Sequence, residues 1–600
     1  MTGATTVTVR RPDGSTQTLS YSDADFAGDK FGCDLVMKGG ITSGVVYPLT
    51  VAELAKSYRF HGIGGTSVGA VAAAVTAAAE YARERGGFQK LVKIPDDLAG
   101  GLVQKFQPEP KLAVLFDIML AALKKPSGGT VGVLGRIVWR AMLGYLPWTL
   151  IALALGVVLA ALAWPTAGFW AAAIGIGTFV IALAILLGWR LFRTLTVDLP
   201  AADFGICSGK TVQASGPKAF TDWLADLLDE VAARPPELSD HPLTFEDLDG
   251  GPNPVQLRMM TSDISMGRPY ELPLRDNLHF FSKGEFEKLF PDRVVAYMTS
   301  PAVSKLLPAE SQNAAGDLYH LPEGNKLPVV VAARMSLSFP GLIQAVPLYK
   351  RDFLLKTQAD RMRPVRCHFS DGGLTSNFPI HFFDRLWPNR PTFAINLDKF
   401  DPRADDENQR TWMQIAAGSG QVLPINEVKG LGGFFWALFN TAKGWQDTLQ
   451  AMLPGYRERI VHIALKNDEG GLNLEMPKQT IELLTGFGEE AGRAVLADFN
   501  MSQHRWRRHL TAIARVEETF AKIHDSHTQV DGGIDTFGTF LESYNPQNGS
   551  YKLTGAPLKE LEDKTAEIVA LAAAWQGRLK IRERKEIPDP ASVMRITTKP

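Results

Sequence analysis

Residues 58–81 read YRFHGIGGTSVGAVAAAVTAAAEY. Tyr58 to Ile63 is a short apolar run, and Ala70 to Ala79 is alanine-rich, so the stretch predicts a strand and a helix joined by Gly64-Gly65-Thr66-Ser67-Val68-Gly69. Within that joint Gly65 and Gly69 flank Ser67 in a Gly-x-Ser-x-Gly elbow. Two glycines permit a tight strand-to-helix turn that holds the serine oxygen at the head of the helix, where a nucleophile belongs. The same five residues also fit a turn with no chemistry. The apolar strand before them, and the small Ala70, Ala72, Ala73 and Ala74 where the helix must pass close to other backbone, favour the nucleophile.

Upstream, FGCDLVM at 31–37 predicts a second strand, running into Lys38-Gly39-Gly40-Ile41-Thr42-Ser43-Gly44 and then a helix capped by Thr42 or Ser43. Backbone N–H groups of Gly39, Gly40 and Ile41 at such a turn suit a developing oxyanion. A nucleotide-phosphate loop is the alternative, but the dinucleotide and P-loop spacings are missing. Downstream, Gln256 to Met260, Val329 to Ala333, Arg366 to Phe369 and Phe393 to Leu397 are further expected strands, alternating with helical stretches. This is the pattern of an α/β sheet with helices on its faces. Asp371-Gly372-Gly373 follows one of these strands, which puts a carboxylate at a strand's carboxyl edge as a base for Ser67. Asp-Gly is also a common turn.

Between the two halves of this pattern, Ala141 to Trp189 holds 49 residues without Asp, Glu, Lys, Arg or His, in a chain that is 21% charged. The run divides at Trp164-Pro165-Thr166-Ala167-Gly168 into Leu143 to Ala163 and Phe169 to Trp189, each about 31 Å long as helix, the thickness of a hydrocarbon core. Small residues recur at Ala152/Gly156/Ala160 and Ala171/Gly175, a spacing that lets two helices approach closely in lipid. Arg136, Arg140, Arg190 and Arg193 flank the hairpin and its turn is uncharged, so both termini and the soluble mass are expected in the cytoplasm. A buried or oligomer-forming apolar hairpin is the other reading.

The 600-residue chain has a net charge of −1, with no basic tail, which removes the electrostatic case for nucleic acid. Its three cysteines, Cys33, Cys207 and Cys367, are far apart, so no disulfide framework is expected, and the first 30 residues lack the apolar core of a secretory signal. No His/Cys/Asp/Glu cluster has metal-ligand spacing, so neither metal nor cofactor is expected. Beyond Asp401 the chain reads as helical and charged, with long candidates near Val428 to Leu453, Lys478 to Lys522 and Pro557 to Glu583, and a loop over 524–556.

Taken together, Gly65-Thr66-Ser67-Val68-Gly69, Asp371-Gly372-Gly373 with Asn377 and Pro379, and the glycine loop with Pro48 after it resemble the patatin-like phospholipases. TSDISMGRPYELPL (261–274) and AARMSLSFPG (332–341) are similar to bacterial members. The resemblance implies a three-layer α/β hydrolase domain, Ser67 as nucleophile, Asp371 as its direct partner in a dyad, and Gly39, Gly40 and Ile41 as oxyanion hole. Here Lys38 stands for the first glycine of the family's Gly-Gly-Gly-x-Arg/Lys-Gly loop, and Thr42 and Ser43 occupy its end.

The expected organisation is an extension (1–30), a hydrolase domain in two parts (31–130 and 196–400), an inserted membrane hairpin (131–195) and a mainly helical region (401–600). The expected activity is that of a membrane-tethered serine acylhydrolase acting on lipid esters of the adjoining bilayer. The C-terminal helices are where a protein partner or a second copy would be expected to bind. Two alternatives stand beside it: a non-catalytic membrane scaffold on the same domain, and an esterase whose triad adds His381.

Overall fold

The computed structural model describes residues 4–584 and 587, apart from 41, 124–128, 214, 239, 313–315, 415–424, 426, 467, 531, 546 and 548–550. Its strands are β1 (Thr5–Arg10), β2 (Thr16–Tyr21), β3 (Phe31–Met37), β4 (Tyr58–Thr66), β5 (Gly205–Cys207), β6 (Gln256–Asp263), β7 (Arg268–Leu272), β8 (His279–Ser282), β9 (Leu318–His320), β10 (Gly341–Ile343), β11 (Val346–Arg351), β12 (Pro364–Asp371), β13 (Thr392–Lys399), β14 (Thr411–Met413) and β15 (Ile460–Leu465). Eleven of them form one mixed sheet in the order β14-β15-β13-β3-β4-β6-β12-β11-β8-β9, with β7 also on β6.

The central strands β15, β13, β3, β4 and β6 are parallel, and β12 returns antiparallel to β6. Leu35, Val36 and Met37 in β3 are wholly buried, as a parallel strand covered on both faces requires. On one face lies the elbow helix Val68–Tyr81, packed among the helices Tyr47–Ala55, Gly87–Leu98, Phe220–Val231 and Val329–Ser336. Its Ala70, Ala73, Ala74, Ala77 and Ala78 are fully buried, and only so small a side chain admits neighbours on every side. On the other face Val36, Met260 and Ala394 meet Phe378, Ile380, Phe382, Phe383 and Tyr456 in a second core.

Several expected elements shift. Val329 to Ala333 is helical and not a strand: Pro328 precedes a helix over Val329–Ser336 whose side chains are all buried. A fully buried apolar run shows no period by which sequence could tell the two apart. β14 and β15 carry the sheet past Asp401 into the region expected to be helical. Lys478 to Lys522 is two helices, Lys478–Asp498 and Met501–Thr528, because the Asn500 side chain caps Gln503 N–H and starts the second. The loop expected over 524–556 contains the end of that second helix and a short helix, Phe537–Ser543. Residues 5–21 form a hairpin, β1 with β2, that packs on the helix Lys478–Asp498.

The uncharged segment forms two antiparallel helices, Leu146–Ala167 and Trp170–Arg193, long and apolar enough to cross a membrane. The first runs through Pro165 and turns at Gly168, whose φ is +51°. The small-residue stripes meet: Ala152 and Ala171 are wholly buried, and a Cβ on Gly156 would lie 2.7 Å from the Gly175 carbonyl oxygen. Most other side chains of the pair face outward, Leu162 and Ile176 among them.

Candidate active site

β4 delivers Ser67 to the head of the elbow helix with φ +56° and ψ −131°, a left-handed conformation rare for a residue with a side chain. The flanking glycines are sterically required. A Cβ on Gly65 would fall 2.2 Å from the Gly69 carbonyl oxygen, and one on Gly69 would fall 2.3 Å from that of Met37. Ser67 N–H donates to Ser336 Oγ at 3.0 Å, and the Ser67 hydroxyl donates to the Gly40 carbonyl at 3.0 Å.

Asp371 ends β12, and Gly372 behind it lets the turn pack on β6, where a Cβ would meet the Met260 oxygen at 2.1 Å. Asp371 Oδ1 accepts Gly373 N–H at 2.8 Å, while Oδ2 is buried with no hydrogen-bond partner among the described residues. Burial pushes this carboxyl up to about 6; the Ser67 hydroxyl, the Lys443 ammonium and Gly373 N–H pull the other way. The two longer stretches singled out in the sequence brace the pair. Ser338 O accepts Asp371 N–H at 3.0 Å, and Ser262 Oγ donates to Asp371 O at 2.9 Å.

The glycine turn differs from expectation. Gly39 N–H is committed to the Asn377 carbonyl at 2.9 Å, so it does not face the serine as a free donor. Ile41 lies outside the described residues. Gly40 N–H and Val68 N–H, the latter opening the elbow helix, donate to no described residue and are the donors this arrangement offers an oxyanion. Lys38 turns its amine to the Leu397 carbonyl at 2.9 Å, and burial pushes its pKa down while Asp398 and Asp447 pull it up. His381 is exposed beside Phe382 and bonds to neither Ser67 nor Asp371.

Two residues at the site have roles that no local pattern foretold: Asn377, which entered only with the family resemblance, and Asp447, which carried no signal in the sequence. Asn377 places its carboxamide 2.3 Å from where a Gly39 Cβ would stand and 2.5 Å from a Gly373 Cβ, filling the space both glycines leave. Asp447, on the helix Gly430–Ala451, accepts Ser376 Oγ at 3.0 Å, Asn377 N–H at 2.5 Å and Phe378 N–H at 2.9 Å. It thereby fixes the loop after Asp371 from seventy residues away. Beside the elbow, an apolar cleft runs along Val68, Val71, Ile94, Leu98, Phe220 and Trp223.

The fold and this geometry define a mixed α/β protein with a serine elbow and a buried aspartate beside it. No family model matches the chain. The RpoH suppressor of Rhizobium meliloti (strain 1021) is 37% identical over 571 residues, covering 80% of this chain and 86% of that protein, and the chain belongs to its family. Two solved structures are similar at low level: the type III effector protein ExoU, at 11% identity, and the complex of SpcU with ExoU from the type III secretion system of Pseudomonas aeruginosa, at 13%. Each matches 96% of this chain, with 81% and 77% of their own chains covered. At a TM-score of 0.22 in both cases they add nothing to the fold or the site.

Proposed function

We propose that the chain is a patatin-like serine acylhydrolase held at a membrane by its apolar hairpin, with a lipid acyl ester as substrate. The observation that carries this is an elbow serine in left-handed backbone beside a carboxyl whose pKa burial has raised to about 6. A carboxylate with that basicity is mostly ionised at neutral pH and still accepts a proton. In the reaction Ser67 Oγ attacks the ester carbonyl and its proton passes to Asp371. Gly40 and Val68 N–H groups stabilise the oxyanion, and the alcohol leaves with the proton. Water then attacks the acyl-serine by the same route, releasing the fatty acid and restoring Ser67. The apolar cleft beside Val68 suits the acyl chain, since it is nearly free of polar groups and is lined by the residue next to the nucleophile.

The hairpin supports the membrane part of the reading. Its arginine flanks and uncharged turn favour a topology with both termini and the enzyme domain on the cytoplasmic side. Confinement beside a bilayer raises the effective concentration of an ester embedded in it. The committed Gly39 N–H favours a second reading, a catalytically silent membrane scaffold on this domain. Fluorophosphonate labelling separates the two: the wild-type chain is expected to label and Ser67→Ala to lose both label and ester hydrolysis with an unchanged melting curve. Hydrolysis retained in Ser67→Ala removes the acylhydrolase reading.

A further inference from the structure

The helix Gly430–Ala451 is built with two unlike sides. Leu431, Phe434, Phe435, Leu438, Trp445 and Leu449 fall within about 100° of one another around its axis, at about 100° per residue. All six are exposed, Leu431 at 74%, Phe435 at 60% and Trp445 at 54%, so no described residue covers them. Asp447 and Lys443 lie on the opposite side. Asp447 is buried against Ser376, Asn377 and Phe378, and the Lys443 ammonium acts on Asp371 and Lys38. The helix therefore bridges the candidate site and an uncovered apolar stripe.

We propose that this stripe enters the headgroup layer of a lipid bilayer, and that the helix so docked holds the 376–378 loop in place over Ser67. Charge does not oppose this occupant. Asp447 is the only acid within 430–451 and is turned inward, so the outward side carries no charge that would hold the stripe away from lipid, and at the helix start Lys429 and Glu427 pair with each other at 2.9 Å. Phenylalanine and tryptophan beside leucine are the side chains that settle at a bilayer surface. The hairpin supplies proximity, so the inference rests on the membrane-tethered reading above and adds to it a second contact, made by the site's own support.

The test uses the full-length protein in phosphatidylcholine–phosphatidylglycerol liposomes. Leu438→Cys is labelled with an environment-sensitive fluorophore; Cys33, Cys207 and Cys367 are buried and stay silent. Spin-labelled headgroups should quench the fluorophore at 438 and leave one at Glu560→Cys, on an exposed face elsewhere, unquenched. Separately, Phe435→Ser with Leu438→Ser should lower hydrolysis of vesicle lipid by about tenfold or more while short-chain soluble ester turnover stays within about twofold. A probe at 438 that lipid does not reach, or that crosslinks to a second copy or a protein partner, overturns the proposal. Lipid quenching does not depend on hydrolysis, so a chain inert towards esters but quenched at 438 would refute the acylhydrolase and leave the docked helix standing.

Discussion

Asp371 sets the pH response of the proposed reaction. Its folded pKa of about 6 lies above the ordinary 3.8, so between those values the folded chain holds a proton that the unfolded chain releases. Ionising it as pH rises through about 6 therefore weakens the fold while creating the base. Asp371→Asn keeps the Oδ1 acceptor for Gly373 N–H and removes the charge. At neutral pH it should abolish ester hydrolysis nearly as far as Ser67→Ala and yet melt no lower than wild type, the gain being on the order of 1–3 kcal/mol. Wild-type activity should fall as pH drops below about 6, in a pH-rate profile that His381→Gln leaves in place. A fall in melting temperature for Asp371→Asn would show that the carboxylate stabilises the fold and is not a strained base. Ser67 and Asp371 are the residues most legible in the sequence, because each depends on local pattern, a glycine-flanked elbow and an Asp-Gly-Gly after a strand. Gly39 is not: its partner, the Asn377 carbonyl, comes from a distant loop that only the folded sheet brings near.

At the scale of elements, the loop Ser376–Phe378 has no regular structure of its own and takes its shape from one carboxylate. Asp447→Ala would leave the buried Phe378 N–H and the Asn377 N–H without their acceptor, each loss being of the order of 1–3 kcal/mol for a group shut off from water. The expected result is a fall in kcat of about ten- to a hundredfold on a soluble ester with KM little changed, since the altered loop supports the reacting groups and not substrate binding. Asp447→Asn, which keeps one acceptor, should recover part of it. Unchanged kcat in a folded Asp447→Ala protein would detach this helix from catalysis. The helix itself was visible as a long candidate from Val428 to Leu453, but its role was not, because nothing local to Trp445-Gln446-Asp447 marks a partner seventy residues earlier. The same limit hid β15, a strand whose six residues all become buried only by pairing with β13.

The whole molecule joins an α/β domain, whose main sheet extends from residue 31 to residue 465, to a hairpin inserted between β4 and β6. The insertion leaves the sheet undisturbed, because the hairpin packs chiefly on itself through Ala152, Gly156, Ala171 and Gly175. Two consequences can be measured. If the arginine flanks fix orientation, Thr166→Cys at the turn should react with an impermeant thiol reagent in intact cells, whereas Lys559→Cys on the C-terminal helix Ala556–Gln576 should react only after lysis. The reverse pattern would invert the topology. Because the hairpin is not part of the sheet, replacing Leu146–Arg193 with a short polar linker should release a fragment that remains folded. That fragment should hydrolyse soluble short-chain ester at a rate within about threefold of the full chain. On vesicle lipid it should be slower by about tenfold or more, since losing the tether removes the local concentration of substrate and leaves only the helix Gly430–Ala451 to find the surface. A fragment equally active on both substrates would mean that the helix alone suffices for docking, and a fragment that fails to fold would mean that the hairpin braces the domain it interrupts.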